Sequence, residues 1–231
     1  MNGGAMTQPD INLLEAGPED ADTALILLHG FGADGRDLGP LAELLTPSEA
    51  RWRFIFPDAP ERPLRAAGGM TLRAWYDLDP EGFDGPAEEI AGAEALALAL
   101  VQRERERGIA PERIILGGFS QGGMIALNAF LACPHPLAGV VGLSTCLLNH
   151  EQAETRCGLA NAGGAVFLAH GTGDPMIPIS LAAAGRSTLE RLGYAVQWHS
   201  LAMGHEISQE EILALSHWLR TRLGTGPAPS P

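Results

Sequence analysis

The chain has 231 residues, of which 45% are hydrophobic, and it carries a formal net charge of −13. This length fits one large α/β domain or two small ones, and the apolar content is enough for a sizeable core. The acidic balance argues against a function in binding nucleic acid or anionic membranes. No apolar run is long enough to cross a bilayer, and the first residues lack a basic segment followed by an apolar one. We therefore expect a cytoplasmic protein with no membrane insertion.

Short apolar runs alternate with helical patterns along most of the chain. The runs are nearly continuous rather than alternating, which is typical of strands buried on both faces of a parallel sheet. Strands are predicted at residues 24–28, 52–56, 113–117, 139–143, 165–169 and 195–201. Helices are predicted at residues 87–107, 123–131 and 179–192, and after residue 208. This alternation predicts a single α/β domain at residues 11–223, with helices on both faces of a mostly parallel central sheet and flexible ends at 1–10 and 224–231.

Local signals support several of these boundaries. Gly193 follows a predicted helix and suits the left-handed position after a helix end. Ser208 and Glu211 have the spacing of a capping box. Residues 51–84 are rich in proline and glycine, and we interpret them as a strand followed by an excursion over the carboxyl edge of the sheet. Ligands bind outside that edge in such folds.

The most informative motif is Gly118-Phe119-Ser120-Gln121-Gly122, which joins a predicted strand to a predicted helix. A serine between two glycines at such a turn is typical of the nucleophile elbow of α/β-hydrolases. The turn is tight, and the serine sits in a strained backbone conformation with little room for side chains beside it. The helix also directs its first N–H groups toward an oxyanion formed there. The motif predicts Ser120 as a nucleophile.

A serine nucleophile needs a base, and the base needs an acid that orients it. In α/β-hydrolases these follow in the order serine, acid, histidine. Asp174 comes directly after the strand predicted at 165–169, and His205 comes directly after the strand predicted at 195–201. Both therefore lie at carboxyl ends of strands, on the same edge as Ser120. We predict Asp174 and His205 as the catalytic acid and base.

Other acids and histidines compete for these roles. Asp58 and Asp77 are the alternative acids. His29 and His170 stand in the wrong chain order, and each ends a strand ahead of a glycine, where loop shaping or a local hydrogen bond explains its presence. His199 falls inside a predicted strand, which favours a packing role.

The segment 30–35 reads Gly-Phe-Gly-Ala-Asp-Gly and matches the spacing of a dinucleotide-binding loop. Asp34 and Asp37 would place negative charge where a pyrophosphate must sit, which disfavours that interpretation. The preceding His-Gly pair marks the usual place of the second oxyanion donor of an α/β-hydrolase. We therefore predict that the backbone N–H groups of Phe31 and Gln121 form an oxyanion hole.

The cysteines do not point to a metal. Cys133, Cys146 and Cys157 lack metal-ligand spacing, and we expect free, mostly buried thiols in a reducing compartment. The predicted chemistry needs no metal ion and no organic cofactor.

With these residues assembled, the chain resembles the phospholipase/carboxylesterase family, which includes bacterial carboxylesterases and acyl-protein thioesterases. The matching segments are LHGFGADG at 28–35, FPDAP at 56–60, WYD at 75–77, GFSQGG at 118–123, LS at 143–144, HG at 170–171 with DP at 174–175, and GHE at 204–206. They run in order over nearly the whole domain. The WYD and GHE segments are more specific than the serine motif itself.

The resemblance implies a small hydrolase without a large helical lid, which acts on short- to medium-chain carboxylic esters. Ser120, Asp174 and His205 match the family's triad, and Phe31 and Gln121 match its oxyanion donors. Relatives often carry leucine at the position of Phe31, which should alter the acyl pocket more than the oxyanion hole. Candidate residues of the acyl-binding groove are Met70, Leu72, Trp75, Leu147, Leu148 and Met176. Family members are often dimeric, so a homodimer is one expected state.

Two alternatives to a carboxylesterase stay open. An acyl-thioesterase or a lysophospholipase would share the same catalytic machinery and differ in the groove and in contacts to the leaving group. A non-catalytic α/β-hydrolase-fold protein that binds a small ligand would keep the pocket without the reaction. The presence of all three triad residue types disfavours the second alternative.

Overall fold

The computed structural model describes residues 11–224, in which nine strands alternate with seven helices. The strands are β1 (Leu13–Ala16), β2 (Thr23–Leu28), β3 (Trp52–Pro57), β4 (Glu61–Pro63), β5 (Thr71–Arg73), β6 (Ile114–Phe119), β7 (Gly139–Leu143), β8 (Ala165–Gly171) and β9 (Ala195–Leu201). The helices are α1 (Gly35–Leu38), α2 (Leu41–Leu45), α3 (Ala87–Glu106), α4 (Gln121–Ala132), α5 (Ala153–Arg156), α6 (Ile179–Arg191) and α7 (Gln209–Leu223). The ends predicted to be flexible lie outside the described residues, apart from Gly224.

Seven strands form one sheet in the order β1-β3-β2-β6-β7-β8-β9. All neighbouring pairs are parallel except β1 with β3. The six predicted strands are all present and differ from the prediction by at most two residues at either end. Strand β1 and the separate hairpin of β4 and β5 were not predicted. These strands are short and mostly exposed or half-buried, so they lack a continuous apolar run. The parallel sheet predicted from the continuous apolar runs is confirmed.

Two hydrophobic clusters cover the two faces of the sheet. Along β2, Ile26 and Leu28 belong to one cluster, and Leu25 and Leu27 belong to the other. Helices α3, α4, α5 and α6 pack into the first cluster, and α1, α2 and α7 pack into the second. This arrangement confirms a single α/β domain with helices on both faces. All six residues of β2 are buried, because helices cover both faces of the strand.

The residues described contain no helix long and apolar enough to span a membrane. Their three cysteines are free, with Cys133 and Cys146 buried and Cys157 half-buried. Burial raises the pKa of the Cys146 thiol to about 12, so this side chain stays protonated and packs as an apolar group.

The predicted C′ glycine of α6 is present, and the predicted capping box of α7 is present only in its serine half. Gly193 adopts a φ of +86° just after α6, as its predicted C′ role requires. At the start of α7, the Ser208 hydroxyl accepts a hydrogen bond from the Glu211 N–H at 3.2 Å. Glu211 is fully buried, and neither of its carboxyl oxygens has a hydrogen-bond partner within residues 11–224. Burial raises the pKa of Glu211 to about 8.

Replacing Glu211 with glutamine is expected to flatten the pH dependence of the unfolding free energy between about pH 4.5 and pH 8. Because the pKa of Glu211 is raised from its ordinary value of 4.5 to about 8 in the folded chain, the folded chain binds more protons than the unfolded chain between these two pH values. Stability is therefore lost as pH rises through this window, at up to roughly 1.4 kcal/mol per pH unit. Glu211→Gln removes this loss, and urea unfolding from pH 4 to pH 9 measures it.

The matched control is Glu210→Gln, which neutralises an exposed neighbour on the same turn. We expect its unfolding free energy to follow the wild-type pH dependence. A Glu211→Gln curve that runs parallel to wild type across the whole range would contradict the prediction.

Candidate active site

The serine motif forms a strained turn between β6 and α4. Ser120 has a φ of +53° and a ψ of −123°, an uncommon conformation for a residue with a side chain. A Cβ placed on Gly118 would lie 2.4 Å from the carbonyl carbon of Gly122, and one placed on Gly122 would lie 2.2 Å from the carbonyl oxygen of Leu28. Both flanking glycines are thus required by close backbone approach, as the motif predicts.

The structure brings Ser120, His205 and Asp174 into one hydrogen-bonded chain. The His205 Nε2 atom lies 2.9 Å from the Ser120 hydroxyl, and its Nδ1 atom lies 2.8 Å from the Asp174 carboxylate. An ionised carboxylate only accepts hydrogen bonds, so Nδ1 carries the proton and Nε2 is left to accept from the serine. The imidazole therefore has the tautomer that a general base for Ser120 needs.

Several groups hold the Asp174 carboxylate in place. One oxygen accepts from the backbone N–H groups of Met176 and Ile177, at 2.8 and 2.9 Å, and the other faces His205. Burial by itself would raise the pKa of Asp174, but the hydrogen bonds from His205, Ile177 and Met176 together hold it below its ordinary value. The group therefore stays ionised, and only a charged form can stabilise a protonated imidazole.

The other two strand-end histidines make local hydrogen bonds. The buried His29 ring donates from Nδ1 to the Gly30 carbonyl at 2.7 Å and accepts at Nε2 from the Ala59 N–H at 2.9 Å. Burial lowers the pKa of His29, which suits the neutral ring these two bonds require. His170 donates from Nε2 to the Ile177 carbonyl and lies 3.4 Å from Asp174. His199 contacts Gln197 on the edge strand β9.

The alternative acids are occupied elsewhere. Asp58 accepts a hydrogen bond from the Gly35 N–H at 2.9 Å. Asp77 forms an ion pair with Arg65 at 2.6 Å and also accepts from its backbone N–H. Each carboxylate thereby fixes a loop, and the acid that meets His205 is Asp174.

The glycine-rich loop after β2 places Phe31 beside Ser120. Asp34 caps the short helix α1, with reciprocal hydrogen bonds between Asp34 and Asp37. A carboxylate pair at this helix start occupies the position that a pyrophosphate would need. The Gly32 N–H donates to the Arg73 carbonyl at 2.8 Å, which joins this loop to the hairpin of β4 and β5.

Gln121 has two separate attachments to the structure. Its N–H is the first of α4, one of the group at a helix start that has no acceptor within the helix. Its side chain turns away, accepts from the Trp75 N–H at 3.0 Å and donates to the Tyr76 carbonyl at 2.9 Å. This amide anchor for residues 75–76 has no signal in the local sequence, because it joins segments 45 or more residues apart.

A cavity of about 430 Å³ opens at Ser120. Its lining residues are His29, Gly30, Phe31, Ala33, Asp37, Leu38, Phe119, Ser120, Met176, His205 and Ile207. The Phe119 ring packs against the His205 ring with centroids 4.9 Å apart. The cavity is mainly apolar, and Met176, one of its lining residues, is exposed to solvent.

The other predicted groove residues are distributed differently. Leu147 and Leu148 line a separate cavity of about 290 Å³. Met70 is exposed just before β5, and Leu72 lies within that strand. Trp75 is buried, and its indole N–H donates to the His29 carbonyl at 2.8 Å. Trp75 is not among the residues that line the cavity at Ser120, and its indole N–H anchors the His29 carbonyl just after β2.

Comparisons with known proteins agree on one family. The sequence matches the phospholipase/carboxylesterase family over residues 10–223. It is 33% identical over 218 residues to acyl-protein thioesterase 1 of Gibberella zeae, covering 86% of this chain and 90% of that protein. The crystal structure of Zea mays acyl-protein thioesterase 2 superposes with a TM-score of 0.81 at 25% identity, covering 92% of this chain and 99% of that one. Esterase PE8 gives a TM-score of 0.81 at 28% identity over the same shares.

Proposed function

The chain belongs to the phospholipase/carboxylesterase family of α/β-hydrolases, and from that premise we propose that it is a serine hydrolase of short- to medium-chain carboxylic esters and thioesters. Residues 11–223 form its catalytic domain in this proposal. The observation that carries it is the hydrogen-bonded chain from Ser120 through His205 to Asp174. Ser120 and His205 line a mainly apolar cavity that is open to solvent.

Acylation begins at Ser120. Its Oγ attacks the substrate carbonyl carbon while its proton passes to Nε2 of His205, and Asp174 stabilises the imidazolium that forms. The new carbon–oxygen bond pushes an electron pair onto the carbonyl oxygen, which accepts hydrogen bonds from the N–H groups of Phe31 and Gln121. When this pair returns, the bond to the leaving alcohol or thiol breaks. The leaving group takes the proton from His205, and the acyl group remains on Ser120.

Deacylation repeats the same steps with water. His205 takes a proton from a water molecule, whose oxygen attacks the acyl carbon. The tetrahedral intermediate again places its oxyanion at Phe31 and Gln121. Collapse breaks the bond to Ser120, which recovers its proton from His205, and the carboxylic acid leaves.

Two observations bear on the substrate class. The relatives are named acyl-protein thioesterases, which favours thioesters over the simple esters that the serine motif alone suggests. The cavity walls at Ser120 are mainly apolar, and Asp37 lies among them, which favours uncharged acyl chains over acidic ones. A panel of p-nitrophenyl esters and S-acyl thioesters matched in acyl length from acetyl to decanoyl measures this preference through kcat/KM.

A fluorophosphonate probe is expected to label the protein at Ser120. The probe reacts only with a serine that has a working base, because phosphonylation follows the same first step as acylation. Peptide mass spectrometry should find the adduct on the peptide that contains Ser120 and should find little adduct in His205→Gln. A non-catalytic protein that binds ligands in the same cavity would give no adduct with either form, and that result would overturn the proposed function.

A further inference from the structure

Thr145 lies beneath the serine turn and makes no contact with the cavity. Its side chain is 3% exposed, and its hydroxyl donates to the Ser120 carbonyl oxygen at 2.7 Å. The methyl and hydroxyl pack against two glycines: a Cβ on Gly142 would lie 2.8 Å from the methyl, and a Cβ on Gly123 would lie 2.8 Å from the hydroxyl. The residue is therefore held tightly between β7 and α4.

The carbonyl that Thr145 binds belongs to the same peptide unit as the Gln121 N–H. A trans peptide is planar, so its C=O and N–H point in opposite directions. A hydrogen bond on the carbonyl oxygen of Ser120 therefore fixes the direction of the Gln121 N–H. The strained ψ of Ser120, −123°, is the torsion that would otherwise rotate this plane.

The second donor is held in the same manner. The Phe31 N–H shares its peptide unit with the Gly30 carbonyl, which accepts from the His29 ring at 2.7 Å and from the Ala33 N–H at 3.2 Å. The Ser120 carbonyl likewise accepts from Thr145 and from the Met124 N–H at 3.2 Å. In both peptides one donor comes from the local backbone turn, and a buried side chain supplies the other.

We propose that Thr145 is a positioning residue of the oxyanion hole, which acts by fixing the peptide plane between Ser120 and Gln121. This inference rests on the proposed hydrolase function. Thr145 touches no substrate and no reacting atom. Its hydroxyl matters in the transition state, when the Gln121 N–H must point at the oxyanion, and matters little for binding the ground-state substrate.

The test compares Thr145→Ser with Thr145→Ala, which both remove the methyl group and differ only in the hydroxyl. Complete loss of one oxyanion donor costs on the order of 100- to 1,000-fold in kcat. A donor that is present but poorly aimed should cost less, so we expect Thr145→Ala to lower kcat by about 10- to 100-fold with KM changed by less than about threefold. Thr145→Ser should stay within about threefold of wild type.

A transition-state analogue separates this role from a purely structural one. An aliphatic trifluoromethyl ketone forms a tetrahedral adduct with serine, and its affinity for Thr145→Ala should fall in parallel with kcat. The matched methyl ketone, which stays trigonal, should bind both variants alike. Thr23→Ala removes another buried threonine hydroxyl, at the opposite end of the sheet, and should leave kcat unchanged.

The outcomes are distinguishable. Equal kcat in Thr145→Ser and Thr145→Ala, or an unchanged affinity for the trifluoromethyl ketone, would overturn the role of Thr145 while leaving the hydrolase assignment intact. If Thr145→Ala does not fold, Thr145→Val keeps the branched shape without the hydroxyl and should show the same loss of kcat. Wild-type protein that hydrolyses no ester or thioester would instead refute the proposed function itself.

Discussion

Replacing Ser120 with alanine is expected to lower kcat for p-nitrophenyl ester hydrolysis by on the order of 10⁴- to 10⁶-fold. The substitution removes the atom that attacks the carbonyl and with it the acyl-enzyme intermediate. The oxyanion donors and the cavity stay in place, so we expect the residual activity of a site that only binds and polarises the substrate. Initial rates with p-nitrophenyl butyrate measure the effect.

The matched control for this variant is Ser187→Ala. Ser187 is an exposed serine on α6 whose hydroxyl bonds to its own helix, and we expect wild-type kinetics. Thermal unfolding of both variants should show that each is folded at the assay temperature. Activity of Ser120→Ala within tenfold of wild type would show that the reaction does not pass through this serine.

Replacing Asp174 with asparagine is expected to lower kcat by on the order of 10³- to 10⁴-fold, with little change in the fold. The asparagine oxygen can still accept from the N–H groups of Met176 and Ile177, as one carboxylate oxygen does now. Its NH₂ group then faces His205 Nδ1, which lies 2.8 Å from the carboxylate oxygen it replaces. Two donors repel each other there, so the imidazole takes the tautomer with its proton on Nε2 and has no lone pair for Ser120.

The control for the acid is Asp77→Asn, which alters the alternative acid in the ion pair with Arg65. This pair involves an exposed arginine, and we expect kcat within about threefold of wild type. Fluorophosphonate labelling provides an independent readout, since Asp174→Asn should slow labelling of Ser120 in proportion to kcat. Strong loss of activity in Asp77→Asn together with normal activity in Asp174→Asn would show that Asp77, and not Asp174, is the catalytic acid.

The parallel strands were predictable because a strand that is buried on both faces needs apolar residues at consecutive positions. The apolar run of β2, for example, places Leu25 and Leu27 in one core and Ile26 and Leu28 in the other. The edge elements were less predictable. Strand β1 and the hairpin of β4 and β5 are short and largely exposed or half-buried, so their residues carry no comparable pattern and depend on pairing with neighbours.

The sequence alone determined the order Ser120, Asp174, His205 and their places after strands, because the elbow motif and strand ends are local features. It left Asp58 and Asp77 as alternative acids. Only the tertiary structure showed that the Asp174 carboxylate contacts His205. It also showed that Asp58 binds the Gly35 N–H and that Asp77 pairs with Arg65.

Tertiary structure alone also decided how Gln121, one of the two proposed oxyanion donors, is held. The hydrogen bond from Thr145 to the Ser120 carbonyl joins residues 25 positions apart. The hydrogen bonds between the Gln121 side chain and residues 75–76 join positions 45 or more apart. The physical reason is the packing of β7 beside β6, which brings the residues just after β7 under the serine turn. A contact of that kind depends on strand order and register, and these are properties of the whole sheet.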